Sequence, residues 1–139
     1  MNFRNIYKIS LFVVCFLVFA NFSVAKTLTV RNAHSMVYDS KNKEVLLFGG
    51  ADEKQVYGDL WKLNKKTWKL IKTDKSPEPR TFASMVYDES QQRIILFGGN
   101  KVLFGSENNP AKMFGDTWEF KSGKWKKLKI WLRKCQKKR

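Results

Sequence analysis

Cysteine and histidine are scarce in this sequence, which has two cysteines and one histidine in 139 residues. Cys15 lies in an N-terminal segment that we expect to be removed, and Cys135 lies near the C-terminus. The remaining chain would hold a single thiol, which excludes an internal disulfide. His34 is the only histidine, so no second imidazole and no thiol can join it in binding a metal or moving a proton. The sequence therefore predicts no metal site, no cofactor and no catalytic site.

Acidic residues are absent from positions 1–25, which have the layout of a secretory signal peptide. Arg4 and Lys8 make the start positive, residues 9–20 form an apolar run, and residues 23–25 end in small side chains before the expected cut. We expect cleavage there and a secreted or periplasmic protein. The alternative is an uncleaved membrane anchor, although the apolar stretch barely reaches the length that spans a bilayer.

Acidic residues are also absent from residues 121–139, which contain ten lysines and arginines. The formal net charge is +15, but residues 26–120 hold 15 basic and 12 acidic residues and are nearly balanced. The excess charge therefore belongs to a basic tail, residues 129–139, and to the strand before it. Export removes nucleic acid as an obvious partner. An anionic envelope surface stays open as a partner through charge attraction, and a solvated tail without a specific partner is the alternative.

What the sequence does contain is an internal repeat, and a repeat of this length decides the fold. Shifted by 49 positions, residues 31–50 match residues 80–99 at ten of twenty positions. Both copies contain Ser-Met-Val-Tyr-Asp and end in Leu-Phe-Gly-Gly. A Gly-Asp-x-Trp motif follows at 58–61 and 115–118, with a second tryptophan seven positions after the first in each case. The shift is 57 here, so the second copy has eight extra residues between its glycine motifs.

Each repeat predicts four short strands, because aliphatic, aromatic and β-branched runs alternate with polar turns. The runs at 45–48 and 94–97 are apolar without alternation, which suits a sheet that is covered on both faces. Asp39 and Asp88 follow strands at equivalent positions, where they are expected to cap turns rather than form an acid–base pair. The predicted strands are Ser35–Tyr38, Val45–Phe48, Leu60–Leu63, Trp68–Ile71, Ser84–Tyr87, Ile94–Phe97, Thr117–Phe120 and Trp125–Leu128.

These motifs, in this order and in both copies, resemble kelch repeats over about residues 31–71 and 80–128. The resemblance implies an all-β fold with two four-stranded antiparallel kelch blades of an incomplete β-propeller, within residues 26–128. It gives the glycine pairs a place where a strand end turns beside neighbouring backbone, and it places the tryptophans in the gaps between blades. These structural residues are Gly49, Gly50, Gly98, Gly99, Trp61, Trp68, Trp118 and Trp125.

Two repeats are fewer than the four to eight blades of a closed propeller. Nothing after Leu128 begins a third repeat, so two blades would leave two flat apolar faces without partners. We favour a truncated propeller, because the tail lacks the residues of a blade. Two alternatives stay open: three or four copies could close one ring as a homo-oligomer, or the insertion in the second repeat could cap the open edge.

Arg31 and Arg80, which open the two repeats, are the first candidates for ligand binding. The resemblance implies that inter-blade loops point side chains toward the mouth of the channel, and arginine suits carboxylate or phosphate recognition. The alternative is an arginine that is solvated or packed within its blade. The inserted segment, with Asn108 and Asn109, is the second candidate surface, because long loops in compact domains are frequently functional.

The sequence therefore predicts an exported kelch-repeat binding or scaffold module for a protein, peptide or glycan ligand. One alternative is a fragment of an exported kelch-type sugar-acid epimerase, whose activity would require residues from further blades. The other is a non-functional remnant of a longer propeller.

Overall fold

A computed structural model describes residues 26–102 and 112–129 as an all-β structure of two sheets. The predicted fold class, two four-stranded antiparallel kelch-type blades, is confirmed. The predicted signal peptide, residues 1–25, lies outside the described residues, as do residues 130–139 of the predicted basic tail. The described residues include no helix long and apolar enough to cross a membrane. The strands are β1 (Ser35–Asp39), β2 (Glu44–Phe48), β3 (Leu60–Asn64), β4 (Thr67–Ile71), β5 (Ser84–Asp88), β6 (Arg93–Phe97), β7 (Thr117–Lys121) and β8 (Lys124–Leu128).

Each sheet is a simple antiparallel meander, in which every strand pairs with the next strand in sequence. The first sheet has the order β1-β2-β3-β4 and the second has the order β5-β6-β7-β8. All eight predicted strands are present, and each is one residue longer than predicted. The added residues are polar ones beside the turns, and they pair with each other across the hairpin, as Asp39 does with Glu44 and Asn64 with Thr67.

Aspartates hold the first turn of each sheet. The Asp39 carboxylate accepts hydrogen bonds from the backbone amides of Lys41 and Asn42, both at 3.0 Å. Asp88 accepts one from the backbone amide of Gln91 at 3.1 Å. Aspartate favours such turns because its short side chain reaches the amides two and three residues further on. The capping role predicted for these two residues is confirmed.

The core lies between the two sheets and draws equally on both. Its buried residues are Leu46, Phe48 and Leu60 from the first sheet and Ile94, Leu96 and Trp125 from the second. The Phe48 and Trp125 rings meet edge to face, with their centroids 5.5 Å apart. Aromatic pairs prefer this arrangement, and it adds to the free energy gained from burial. This cluster is thus an interface between the two blades.

Backbone contacts join the sheets next to this core. Strand β1 lies against β5, and the Phe82 amide donates to the carbonyl of Ala33 at 2.9 Å. Arg80 makes two further links, because its carbonyl accepts from the Gly50 amide at 3.0 Å and its amide donates to the Tyr57 carbonyl at 3.0 Å. The start of the second blade is therefore bonded to the loop that follows β2 in the first.

Candidate functional site

The long connections all emerge at one end of the two sheets. In a meander of equal strands, alternate connections lie at the same end, and here the turns of two to four residues lie at the other. We call the first end the loop end; among the described residues it consists of 26–34, 49–59, 72–83, 98–102 and 112–116. Binding residues are found disproportionately on loops that a rigid scaffold positions. The loop end is therefore the candidate functional surface.

Arg31 fixes the first loop of this end. Its Nη1 donates to the Asp59 carboxylate at 2.5 Å and to the Gly49 carbonyl at 3.1 Å. Its Nε donates to the carbonyl of Thr29 at 3.3 Å. The guanidinium carbon stacks over the Tyr57 ring, 3.8 Å from the ring centroid. One side chain thus ties together both ends of the β2–β3 loop and the segment that leads into β1.

Arg80 repeats the same arrangement in the second sheet. Its Nη1 donates to the Asp116 carboxylate at 2.6 Å and to the Gly98 carbonyl at 2.9 Å. Its Nε donates to the carbonyl of Glu78 at 3.0 Å, and the guanidinium lies over the Phe114 ring at 4.0 Å. We call each set of arginine, aspartate, carbonyl and ring an Arg–Asp clamp. Its recurrence follows from the sequence repeat, since every member has a counterpart at the matching position.

Both clamp carboxylates are acidic groups held in their charged form. Burial acts to raise the pKa of Asp116, but hydrogen bonds from Arg80 and from Trp118 Nε1 outweigh it and lower the pKa to about 2. Burial and the hydrogen bond from Arg31 oppose each other in the same way at Asp59, and the net effect is again a lowered pKa. Lys26 Nζ adds a second cation, 3.3 Å from the Asp59 carboxylate. The clamps are therefore ion pairs at neutral pH.

A protein-family model, the KLHDC2/KLHL20/DRC7 Kelch-repeats domain, matches residues 21–138. The chain belongs to the kelch-repeat family. No curated protein matches the sequence. Kelch-repeat domains generally serve as binding and scaffold modules and mediate protein interactions.

The kelch glycines lie at the loop end, where the sequence placed them. Gly49 and Gly50 follow β2 with φ values of 69° and 91°, and Gly98 and Gly99 follow β6 with 69° and 99°. Side chains are strained in this region of φ, so glycine suits all four positions. At Gly50 a Cβ atom would also lie 2.7 Å from the carbonyl oxygen of Asn32.

Two of the four kelch tryptophans are buried and two are partly exposed. Trp125 lies between the blades against Phe48, as predicted, and Trp61 is fully buried. Trp118 is partly buried, and its Nε1 donates to Asp116 at 2.8 Å, so it supports a clamp. Trp68, the counterpart of Trp125, is partly exposed because the first blade has no blade on that side among the described residues.

The structure places Arg31 and Arg80 inside the molecule, with 7% and 1% of their surface exposed. Their donors are directed at their own loops, so the clamp is what the geometry assigns to them. A direct role in ligand binding stays a prediction. Asn108 and Asn109, the other predicted binding residues, lie outside the described residues.

The sequence reading missed Asp59 and Asp116, although both stand in the repeated Gly-Asp-x-Trp motif. It also missed the aromatic partners Tyr57 and Phe114, which precede that motif in both copies. A signal was present, because an arginine and an aspartate recur in register in two copies of one fold. Such a pair of opposite charges at fixed repeat positions indicates an internal ion pair.

Exposed groups of the loop end surround a hollow of about 340 Å³ beside the first clamp. It is lined by Val30, Arg31 and Asn32 on one side and by residues 51–54 on the other. Val30 is 93% exposed, and Glu53 and Lys54 are exposed as well. Within residues 26–102 and 112–129, no three histidine, cysteine or acidic side chains lie close enough to hold a metal ion. The hollow offers an apolar contact with both signs of charge beside it, which suits peptide or carbohydrate recognition.

Proposed function

We propose that this chain is an exported kelch-repeat binding or scaffold module, and that its protein, peptide or glycan ligand docks on the loop end. One observation carries the proposal: the long connections share one end of the sheets, and an Arg–Asp clamp fixes each β-sheet's loop from beneath. A clamped loop has already lost conformational freedom before it binds, so less entropy is lost in the complex. The layout of residues 1–25 supports export.

Ligand docking is tested with one charge change made at each end of the sheets. Peptides are selected by display on the full chain, and glycans are screened on an array. Their affinities are then measured for Lys54→Glu, at the loop end, and for Lys66→Glu, in the β3–β4 turn at the opposite end. Both lysines are exposed, so neither change disturbs the core. We expect Lys54→Glu to weaken binding about tenfold, equivalent to about 1.4 kcal/mol, and Lys66→Glu to leave it unchanged. Equal effects of the two changes would contradict docking at the loop end.

Export is tested separately, by sequencing the N-terminus of the protein that leaves the cytoplasm. The expected mature protein begins at Lys26. Ala25→Leu removes the small residue required before the cut, so the leader should stay attached. A protein that keeps residues 1–25 in both forms would contradict cleavage and favour the membrane anchor.

A further inference from the structure

The inner strands of the two sheets have the same sequence and opposite patterns of burial. In β1, Ser35 and Asp39 are buried, whereas Met36 and Tyr38 are 52% and 54% exposed. In β5 the order is reversed: Met85 and Tyr87 are partly covered, and Val86 is 57% exposed. Side chains of a strand alternate between the two faces of its sheet. The inner strands of the two sheets therefore expose opposite faces.

We name the faces by the contact that joins the two sheets. The forward face is the one that the first sheet presents to the second, and it includes Val37 and Phe48; in the second sheet its counterparts are Val86 and Phe97. The rear face is the one that the second sheet presents to the first, and it includes Met85, Tyr87 and Trp125. In the first sheet the rear face includes Met36, Tyr38 and Trp68, which are exposed or partly exposed. By strand register it also includes Leu47 and Trp61, which are buried.

The difference in exposure is greatest at one pair of equivalent phenylalanines. Phe48, on the covered forward face, is 1% exposed, because Trp125 packs against it. Phe97, on the uncovered forward face, is 52% exposed. A large apolar side chain that is half exposed beside other apolar residues indicates an interaction surface.

The glycines of the loop end show the space that an occupant would fill. A Cβ on Gly49 would lie 2.4 Å from the Arg80 carbonyl, and one on Gly58 would lie 3.0 Å from Pro79, because the start of the second blade rests on both. At Gly98 the nearest atom would be 3.4 Å away, and at Gly115 nothing lies within 4 Å. Among the described residues, the second sheet thus has the same backbone groove as the first, without the segment that fills it.

The same chain carries the surface that fits this groove. The forward face of the first sheet is covered by the rear face of the second sheet and by the segment at Arg80 that precedes it. An equivalent rear face is present on the first sheet, preceded by Arg31, and its residues Met36 and Tyr38 are exposed. Five consecutive residues, Ser-Met-Val-Tyr-Asp, are identical in β1 and β5, and Trp68 is at the position in β4 that Trp125 has in β8. We propose that the forward face of the second sheet binds the rear face of the first sheet of a second copy of this chain.

The contacts expected across this interface follow those between the two sheets. Phe97 would pack against Trp68 of the second copy, as Phe48 packs against Trp125. The main chain of the second copy's Arg31 would bond to the Gly99 amide and the Phe114 carbonyl, as Arg80 bonds to Gly50 and Tyr57. Asp88 would accept from the second copy's Tyr38, as Asp39 accepts from Tyr87. All of these groups are presented by the described residues.

Such an interface joins two different surfaces, so it is head-to-tail and repeats from copy to copy. A head-to-tail contact gives a ring when its rotation closes and an open chain when it does not. The lysines of the outer strands β4 and β8 make pairing through the sheet edges unfavourable, which leaves the faces as the route of assembly. This inference does not depend on the loop-end ligand, and its failure would leave the proposed function standing.

The test uses two variants that block one face each. Phe97→Glu places a charge on the exposed part of the second sheet's forward face, and Tyr38→Glu places one on the exposed part of the first sheet's rear face. Both side chains are about half exposed, so each variant should keep the β-type circular dichroism spectrum of the parent. Light scattering coupled to size exclusion should show a multi-copy species for the unchanged full chain. It should show a monomer for each variant alone.

Mixing the two variants provides the sharper result. Each retains the face that the other has lost, so an equimolar mixture should give a discrete dimer containing one copy of each. A single chain carrying both changes should give no complex with either variant. Lys66→Glu, in a turn away from both faces, should leave the parent species unchanged.

Gly115→Ala is a second, independent variant that adds one methyl group in open space. It should leave the melting temperature of the monomeric Phe97→Glu chain unchanged, and it should shift the parent toward monomer. A parent chain that is monomeric throughout, or variants that stay assembled, would overturn the proposal. So would a mixture of monomeric variants that does not combine.

Discussion

At the scale of single residues, the clamps show how a buried charge is tolerated in a small β structure. The Arg80 guanidinium leaves water completely, which costs free energy unless its donors are bonded and its charge is paired. The clamp supplies a carboxylate, two carbonyls and an aromatic face. Lysine has neither the planar fork nor the spread of donors that could serve all of them.

Removing this guanidinium should therefore be among the most damaging single changes in the chain. Arg80→Ala leaves the Asp116 carboxylate without its main partner, and we expect a loss on the order of 3 kcal/mol of unfolding free energy. Arg80→Lys should recover only part of that loss. Urea unfolding measures both. Arg93→Ala is the matched control, because Arg93 is also an ion-paired arginine, here with the two carboxylates of Asp88 and Glu119, but it lies nearer the surface. The loss of unfolding free energy in Arg93→Ala should be clearly smaller.

The stability of the protein should depend on acid through Asp116. Its pKa in the folded chain is about 2, against an ordinary value of 3.8. A carboxyl that is more acidic when folded stabilises the fold above its unfolded pKa, and it loses that contribution as the pH falls through its folded pKa. We expect the urea midpoint to fall between about pH 4 and pH 2. In Asp116→Asn the midpoint should be lower at neutral pH and fall less steeply in this window. A profile of unchanged steepness would contradict this role of the clamp.

The two equivalent glycines allow backbone strain to be separated from crowding. Gly49 and Gly98 have the same φ of 69°, so an alanine is strained at both positions, by about 1–2 kcal/mol. Only at Gly49 would the new methyl group also overlap a carbonyl, that of Arg80, whereas at Gly98 the nearest atom, the Phe114 carbonyl oxygen, lies at an ordinary contact distance of 3.4 Å. In the dilute protein, Gly49→Ala should lose more stability than Gly98→Ala, by about 1–3 kcal/mol. Equal losses would mean that the neighbouring segment moves away without cost.

At the scale of strands, the sequence was sufficient to predict the structure. Alternating runs and turn residues located all eight strands, because each strand is short and each turn has its own signal. The prediction left out, from each strand, the one residue next to the turn, because these residues are polar and gave no signal of pairing. The clamps were harder to predict, because an ion pair joins residues 28 and 36 positions apart. Only their recurrence in two copies of the repeat could have indicated them.

Strands β4 and β8 provide a test of how much the position of a strand in the array contributes to the stability of the protein. Trp68 and Trp125 occupy the same position in these two strands, but only Trp125 is enclosed between the sheets. Trp125→Ala should cost about 3–5 kcal/mol, as for other buried large aromatics. Trp68→Ala should cost much less in dilute protein. Thermal unfolding of the two variants measures the difference, and equal losses would show that the interface does not depend on Trp125.

At the scale of the whole molecule, the two sheets share one core and should unfold together. The buried cluster between the sheets draws three residues from each of them. We expect one cooperative transition, in which the amides of β2 and β6 lose protection from hydrogen exchange at the same urea concentration. Earlier loss of protection in one sheet would show that the blades are separate folding units.

The sequence could not indicate which copies of a repeated residue would be buried. Phe48 and Phe97 stand in identical Leu-Phe-Gly-Gly motifs, yet one is enclosed and the other is half exposed. The difference arises from the place of each sheet in the array, since the second sheet packs on Phe48 and no blade among the described residues packs on Phe97. The local sequence determines the strands of a blade, and the adjacent blade determines whether a side chain such as Phe48 or Phe97 is buried.

The eight extra residues of the second repeat have a consequence for how this chain can change. The bridges Ala51↔Val56 and Asn100↔Met113 are equivalent, so the extra length lies wholly between two paired residues. The clamp, the glycines and all strand registers continue as if nothing had been inserted. Doubling the length of such a loop costs only about 0.6 kcal/mol in closure entropy. We therefore expect that the sequence between these paired residues can be exchanged without disturbing the strands, and that such an exchange changes the specificity of the proposed loop-end site.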